Sequence, residues 1–255
     1  MLMSSPFLSL HRSMVLHPSA VFREMDSDNA RFKIILGSSS LPRRDILAGM
    51  GYEFKIMTAD IDEKSIRKEK PEELVMALAE AKADSIVSKL QIIDNQVKDT
   101  VPTLLIAADT VETGIPRLPI GDPKTYDGHS ILITGDQVVV YEGIIREKPS
   151  DKEEARQFVK DYSGKSAATV SSVLVTNLKT GFRKGEWDRV EILFHEIPDD
   201  IIDKLMEDDV VLNVAGGLII EHPLILPYVK ELVGTMDSVM GLPKAVTERL
   251  IKEAL

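Results

Sequence analysis

Residues 35–47 read Ile-Leu-Gly-Ser-Ser-Ser-Leu-Pro-Arg-Arg-Asp-Ile-Leu: an apolar strand running into glycine and three serines, then an arginine pair that opens a helix. A strand that delivers the chain to a helix N-terminus leaves backbone N–H groups and small hydroxyls directed at one spot, where the helix dipole adds positive potential. Such a spot suits an anion, a phosphate above all, and makes a nucleotide-handling enzyme the first hypothesis. On the helix, Arg43, Ile46, Leu47 and Met50 recur at spacings of 3 or 4, so Arg43 shares the inward stripe. A guanidinium on that stripe calls for an anion. No Gly-rich fingerprint accompanies the corner, and the same residues also read as a serine-rich loop with two surface arginines over a helix end.

Working outward, 255 residues suffice for one large or two small domains, and 44% hydrophobic with 28% charged residues describe an ordinary globular protein. A net charge of −10 argues against polymeric nucleic acid or an anionic membrane as partner, because counterion release needs a basic face. Any nucleotide is small and locally held. The absence of cysteine excludes disulfides, thiolate catalysis and cysteine zinc sites and suits a reducing, cytoplasmic setting. The five histidines, at 11, 17, 129, 195 and 222, show no metal-ligand spacing. No apolar run reaches the roughly 18 residues of a spanning helix. Residues 1–29 read as a disordered tail, although the acid-free stretch up to Glu24, with Arg12 and Arg23, is also faintly like an organellar transit peptide. Folded sequence is expected over 30–255.

Periodicity predicts a strand at Phe32–Leu36, a helix at Ser40–Met50, a strand at Tyr52–Thr58 and a long helix at Pro71–Leu90. Later come a strand at Val138–Tyr141, a helix from Ser150 with the capping pair Ser150 and Glu153, and a hairpin of Thr169–Thr176 with Trp187–Phe194. Helices at Pro198–Met206 and after Pro243 complete the order. Mixing βαβ units with an antiparallel hairpin predicts an α/β fold: a mixed twisted sheet flanked by helices, with two lobes around a cleft. One repeat interrupts this order. Leu104 to Val111 recurs, shifted by 27, as Ile131 to Val138, and both copies are buried-strand patterns carrying an aspartate, Asp109 and Asp136.

Three further features bear chemistry. Lys82 lies in line with Val75, Leu78 and Ile86 and so interrupts an apolar stripe, where a lysine either snorkels or meets an anion, snorkelling being the usual outcome. Asp60, Asp62 and Glu63 follow the second strand, where carboxylates can hold Mg²⁺ or simply be solvated. Asp136 ends an apolar strand, the place where ligands of open α/β sheets bind, and Lys148-Pro149 follows a turn later. Ser163-Gly164-Lys165-Ser166 imitates the end of a P-loop, but Val159 stands where its first glycine is required, so it reads as a helix-ending turn.

Taken in order, LGSSS-x-x-RR, Ile61-Asp62-Glu63, Leu78-Ala79-Glu80-Ala81-Lys82-Ala83, Gly135-Asp136-Gln137-Val138 running to Glu147-Lys148-Pro149, Ala215-Gly216-Gly217 and Val239-Met240-Gly241-Leu242-Pro243 resemble the Maf family over about Phe32–Leu255. Those proteins are nucleoside triphosphate pyrophosphatases with an inosine-triphosphatase-like fold. The resemblance implies Mg²⁺-dependent (or other divalent-cation-dependent) attack of water on the α-phosphate, giving a nucleoside monophosphate and pyrophosphate, with non-standard or modified nucleotides as house-cleaning substrates. It also implies a homodimer. Carried over by position, Ser38, Arg43, Lys82 and Lys148 would hold the triphosphate, while Glu63 and Asp136 would bind the metal or activate water, Asp136 being the better candidate for base.

At three base-recognition positions the dTTP- and UTP-preferring members have arginine, threonine and glutamine, where this chain has Pro42, Gln137 and Glu221. Gln137 and Glu221 resemble the 7-methyl-GTP-preferring branch, which carries tryptophan at the position of Pro42. A carboxylate there can accept from guanine N1–H and N2–H₂. Family members carry the duplicated strand once, with Lys-Pro about a dozen residues on, a spacing that Asp136 has and Asp109 lacks. The expectation is that Asp136 is the working copy and that 108–130 is an insertion. If that insertion displaced the Asp136 strand, the chain would be a nucleotide-binding regulator or pseudoenzyme, and this is the alternative reading.

Overall fold

The serine corner is built by a strand buried on both faces: Ile34, Ile35 and Leu36 are all inaccessible, as the unbroken apolar run demands of a strand inside a helix-covered sheet. The computed structural model describes residues 32–99 and 130–255, the side chains of 92–99 excepted. The tail over 1–29, the first strand copy with Asp109, and the insertion up to its last residue lie outside the described residues.

The element order is β1 (Lys33–Leu36), α1 (Leu41–Gly49), β2 (Phe54–Ile56), α2 (Pro71–Asp99), β3 (Ser130–Thr134), β4 (Gln137–Tyr141), β5 (Ile144–Arg146), α3 (Lys152–Tyr162), β6 (Ser166–Asn177), β7 (Arg183–Phe194), α4 (Asp199–Leu205), β8 (Val229–Val233), α5 (Met236–Val239) and α6 (Lys244–Ala254). All eight strands among the described residues join one mixed sheet. β1 pairs in parallel with β2 and β3, and every other pairing is antiparallel. β6 organises it. One edge of β6 takes β7, and the other takes β3 and β4 end to end, β3 along Leu174–Asn177 and β4 along Ala168–Ser171. The sheet therefore forks at Gly135-Asp136: β3 leads on to β1 and β2, and β4 leads on to β5.

Side-chain alternation divides the core accordingly. Even-numbered residues of β3 and β4, such as Leu132, Val138 and Val140, face α2, where they meet Ala79, Ala83 and Ile86 near β3 and Leu74, Val75 and Leu78 near β4. Odd-numbered residues face the other side. There Ile131 and Ile133 pack with α1 and α6, while Val139 and Tyr141 pack with α3 and α4. The two expected lobes are these two packings, and a single helix, α2, spans both on the opposite face.

Two readings are corrected. α2 continues to Asp99 instead of ending at Leu90. The helix from Ser150 is capped one residue later, by Asp151, whose Oδ1 accepts from the Glu154 N–H at 2.9 Å, while Glu154 Oε2 accepts from the Ser150 N–H. The short β5, β8 and α5 had no periodic signal long enough to read. The P-loop imitation is the expected turn: Gly164 has φ 68° between α3 and β6, and Lys165 is spent on Tyr141 Oη and Glu142.

One core position yields a stability prediction. Thr169 is 2% exposed, faces Val190 and Val139 across the sheet, and its Oγ1 has no hydrogen-bond partner among the described residues. A desolvated hydroxyl without a partner costs on the order of 1 kcal/mol or more, and valine has the same shape. Thr169→Val should raise the melting temperature by about 2–4 °C; a lower melting temperature would show that the hydroxyl has a partner after all.

Candidate active site

Two clusters of polar side chains flank the fork, one on each face of the sheet. On the α2 face, Lys82 Nζ lies 2.9 Å from Glu63 Oε1 and 3.0 Å from Asp136 Oδ1. The lysine does not snorkel. Its side chain is 12% exposed, that of Asp136 is 16% exposed and that of Glu63 is 54% exposed, so the better buried carboxylate is the one at the fork. Glu63 opens a single helical turn, Glu63–Ser65, capped by Asp62, whose Oδ1 accepts from the Lys64 N–H. Asp60 is tied by its backbone to Ser85 on α2. Of the three acids after β2, only Glu63 reaches the lysine.

On the opposite face, Arg43 is 8% exposed, as its place on the inward stripe of α1 predicted, yet its partners are not anions. Nε donates to the Gly241 carbonyl at 2.9 Å, and Nη1 donates to the Gly135 carbonyl at 3.0 Å and to Ser38 Oγ at 3.4 Å. Burial pushes its pKa down, and the negative charges of Asp136 and then Glu63 oppose that. Arg43 thus ties the first turn of α1 to the fork and to the loop between α5 and α6, leaving Nη2 without a hydrogen bond among the described residues. Gly241 sits at φ 92°, and a Cβ there would press on Gln137 Oε1 and Arg43 Nε.

The serine corner spends part of its backbone donors within the fold, the Gly37 N–H going to the Ile133 carbonyl. Ser40 caps α1 without a side-chain hydrogen bond, its own N–H going to Ser38 Oγ at 3.2 Å, and Pro42 within the first turn has no N–H to give. Gln137, on the odd face, donates from Nε2 to the Val239 carbonyl at 2.5 Å and so touches α5 instead of α2. Adjacent residues therefore serve opposite faces: Asp136 the lysine, Gln137 the α5 side.

Lys148 and Glu221 are exposed, and no hydrogen bond or ion pair joins either to these clusters among the described residues. Their loops are nonetheless anchored beside the site. Arg146, just before Lys148, lies 4.4 Å from the ring centroids of both Tyr141 and Phe158 and pairs with Asp161. Arg67, downstream of Glu63, reaches Glu147 at 3.1 Å. The Gly216 N–H donates to the Glu147 carbonyl, and the Gly216 carbonyl accepts from Tyr162 Oη, a phenol that burial pushes up to about 12. The Ala-Gly-Gly turn that precedes Glu221 is thereby fastened to the loop that carries Lys148.

The fork also depends on residues that the sequence did not single out. A Cβ on Gly135 would run into the Ser172 carbonyl, and Ser172 Oγ accepts from the Asp136 N–H at 3.0 Å while donating to the Val75 carbonyl at 2.8 Å. Ser172 is one of three serines in the strand Ser166–Asn177, and no sequence signal marks it.

The fold is an α/β fold whose mixed sheet forks between a lysine–carboxylate cluster on one side and an arginine-braced serine corner on the other. The family model "Maf-like protein" matches residues 33–254, and the chain belongs to that family. A 7-methyl-GTP pyrophosphatase of Dictyostelium discoideum is 34% identical over 220 residues, 86% of this chain and 96% of that protein. A dTTP/UTP pyrophosphatase of Alkaliphilus oremlandii is 26% identical, covering 83% of this chain and 90% of that protein, and one of Clostridium botulinum is 27% identical, covering 88% and 100%.

Proposed function

We propose that this chain is a nucleoside triphosphate pyrophosphatase that hydrolyses its substrate to a nucleoside monophosphate and pyrophosphate. The observation that carries the proposal is the geometry at Lys82: a largely buried ammonium held by Glu63 and Asp136 at the fork, where β3 pairs with the strand that leads into the serine corner. Membership of the Maf family and the names of the three relatives support the same class.

In this reading the triphosphate lies across the fork, with the uncapped first turn of α1 and Ser38 receiving phosphate oxygens and Lys82 and Lys148 neutralising charge. Water attacks the α-phosphorus, a new O–P bond forms, and the bond from that phosphorus to the bridging oxygen breaks, releasing pyrophosphate. Asp136 accepts the water proton. It suits that role better than Glu63, because it is shielded from solvent and fixed by the backbone on both sides.

A divalent cation fits the donor set. Glu63 and Asp136 offer hard carboxylate oxygens that already converge on one positive atom, and Mg²⁺ is commonly held by one or two carboxylates together with substrate phosphates and water. Among the described residues no group of three or more His, Cys, Asp or Glu side chains is placed to hold a metal ion by itself. Glu63 and Asp136 would hold the ion, which when bound would neutralise phosphate charge and acidify water. House-cleaning of modified nucleotides belongs to this same proposal.

For the base, we favour a guanine-type substrate such as 7-methyl-GTP. Gln137 and Glu221 stand where that branch carries its recognition residues, and the relative of that name shares 34% identity against 26% and 27% for the two dTTP/UTP relatives. The test is pyrophosphate release from 7-methyl-GTP, GTP, dTTP and UTP, with Mg²⁺ and with a chelator. A kcat/KM for a guanine nucleotide at least about tenfold above dTTP and UTP, lost on chelation, is expected, a margin of about 1.4 kcal/mol that one base-edge hydrogen bond can supply. The reverse order would reject the guanine assignment. Release from none of the four would favour the nucleotide-binding regulator.

A further inference from the structure

We propose that Ser172 is a positioning residue of this site, its hydroxyl replacing one rung of the β-ladder so that the peptide before Asp136 is turned out of the sheet and the carboxylate is aimed at Lys82; this rests on the pyrophosphatase reading only for its effect on turnover.

The register across the fork carries the argument. Thr134 pairs with Leu174 and Gln137 with Ser171, so no residue is inserted or lost, and Gly135 and Asp136 stand opposite Val173 and Ser172. In an antiparallel ladder, opposite residues alternate between pairs that exchange two backbone hydrogen bonds and pairs that exchange none. The Leu178 N–H donates to the Ser130 carbonyl, which makes Ser130 and Leu178 a bonded pair. Counting by two along β3 and into the gap reaches Asp136 and Ser172, which should therefore exchange both bonds.

Only one of the two is made. The Ser172 N–H donates to the Asp136 carbonyl at 2.9 Å, as a regular rung requires. The Asp136 N–H instead donates to Ser172 Oγ at 3.0 Å. The Ser172 carbonyl faces the Gly135 Cα so closely that no side chain fits there.

The displaced group is a single peptide unit, and the structure grips both of its ends. Its carbonyl, that of Gly135, accepts from Arg43 Nη1 at 3.0 Å, and its N–H, that of Asp136, is held by Ser172 Oγ. Ser172 in turn donates to the Val75 carbonyl of α2, the helix that carries Lys82. A hydroxyl has one donor and two acceptor sites, so this one residue can fix the rotated peptide and reference it to the lysine's own helix. With alanine at 172, the Asp136 N–H loses its acceptor, the turned peptide is held only at its Gly135 carbonyl, and the carboxylate is free to swing away from Lys82.

The test compares Ser172→Ala with Thr134→Val. Thr134 lies on the same face, is equally buried, and donates to the Ala79 carbonyl one turn along α2, but it does not touch Asp136. Pyrophosphate release and the exchange of the Asp136 amide, followed by NMR, are measured for both full-length variants. Ser172→Ala should lower kcat about 10- to 100-fold with KM within threefold, the range expected when a reacting group is misplaced by about 1 Å, and should speed Asp136 amide exchange at least tenfold. Thr134→Val should leave kcat within twofold and the Asp136 amide unchanged. Equal losses of kcat in the two variants, or an Asp136 amide that exchanges no faster in Ser172→Ala, would overturn the assignment. If the wild-type chain releases no pyrophosphate at all, the pyrophosphatase reading fails, and the amide exchange alone decides whether Ser172 holds Asp136.

Discussion

Asp136→Asn should lower kcat for pyrophosphate release about 10³-fold while changing the melting temperature by only a few degrees. The size follows from general-base catalysis, which contributes roughly 10²- to 10⁴-fold, because an amide of the same shape can still fill the space but cannot take the water proton. The small stability cost follows from the geometry at Lys82. The ammonium keeps Glu63 Oε1 at 2.9 Å when Asp136 loses its charge, so no buried cation is orphaned. Glu63→Gln should cost less, about tenfold, since its half-exposed carboxylate does not sit at the turned peptide. The measurement also addresses the repeated strand. Asp136 belongs to the copy that lies between β1 and β6 and meets Lys82. Asp109→Asn should leave turnover unchanged. Loss of turnover in Asp109→Asn with its retention in Asp136→Asn would reverse the assignment of the two copies.

What the sequence disclosed and what it withheld divide along a physical line. Periodic features were legible: the buried strand into the serine corner, Arg43 on the inward stripe of α1, Lys82 on the inward stripe of α2, and the aspartate at the end of an apolar strand. Each is a side-chain pattern with a fixed repeat, and the repeat fixes the face. Even the opposite orientations of Asp136 and Gln137 follow from the strand period of two, once both are known to lie in one line. The partners were not legible. A lone lysine on an apolar stripe either snorkels or meets an anion, the spacing does not choose between them, and only the turn at Glu63–Ser65 and the fork at Gly135-Asp136 supply the two anions. Arg43 was expected to need an anion and instead found the carbonyls of Gly135 and Gly241, 92 and 198 residues away. Every residue carries a carbonyl, so a site assembled from backbone acceptors leaves no trace in composition or spacing. Ser172 is hidden for the same reason, since what it binds is the N–H of Asp136 and the C=O of Val75.

Arg43→Met should be the most destabilising single substitution in the site, and its effect separates two roles for the residue. A guanidinium kept chiefly to bind phosphate would cost affinity when removed and leave the fold alone. A clamp would cost both, and the structure describes a clamp. Methionine roughly fills the volume but leaves the Gly135 and Gly241 carbonyls without their charged donor, at about 1.5–3 kcal/mol for each bond to a charged group. Relief from burying the guanidinium, the same desolvation that pushes its pKa down, offsets part of this. The net loss should be about 2–4 kcal/mol, a fall in melting temperature of roughly 5–15 °C for a domain of this size. Arg43→Lys should recover little, because one ammonium on a flexible stem cannot place two donors on carbonyls that belong to separate loops. Turnover should fall along with stability even well below the melting temperature, since the Gly135 carbonyl belongs to the same peptide unit as the Asp136 N–H. Releasing Arg43 frees one end of the unit that Ser172 holds at the other. Thermal denaturation followed by circular dichroism, alongside kcat and KM at 25 °C, decides the matter: a melting temperature within about 2 °C of wild type with a raised KM would make Arg43 a phosphate ligand and remove it from the frame that orients Asp136.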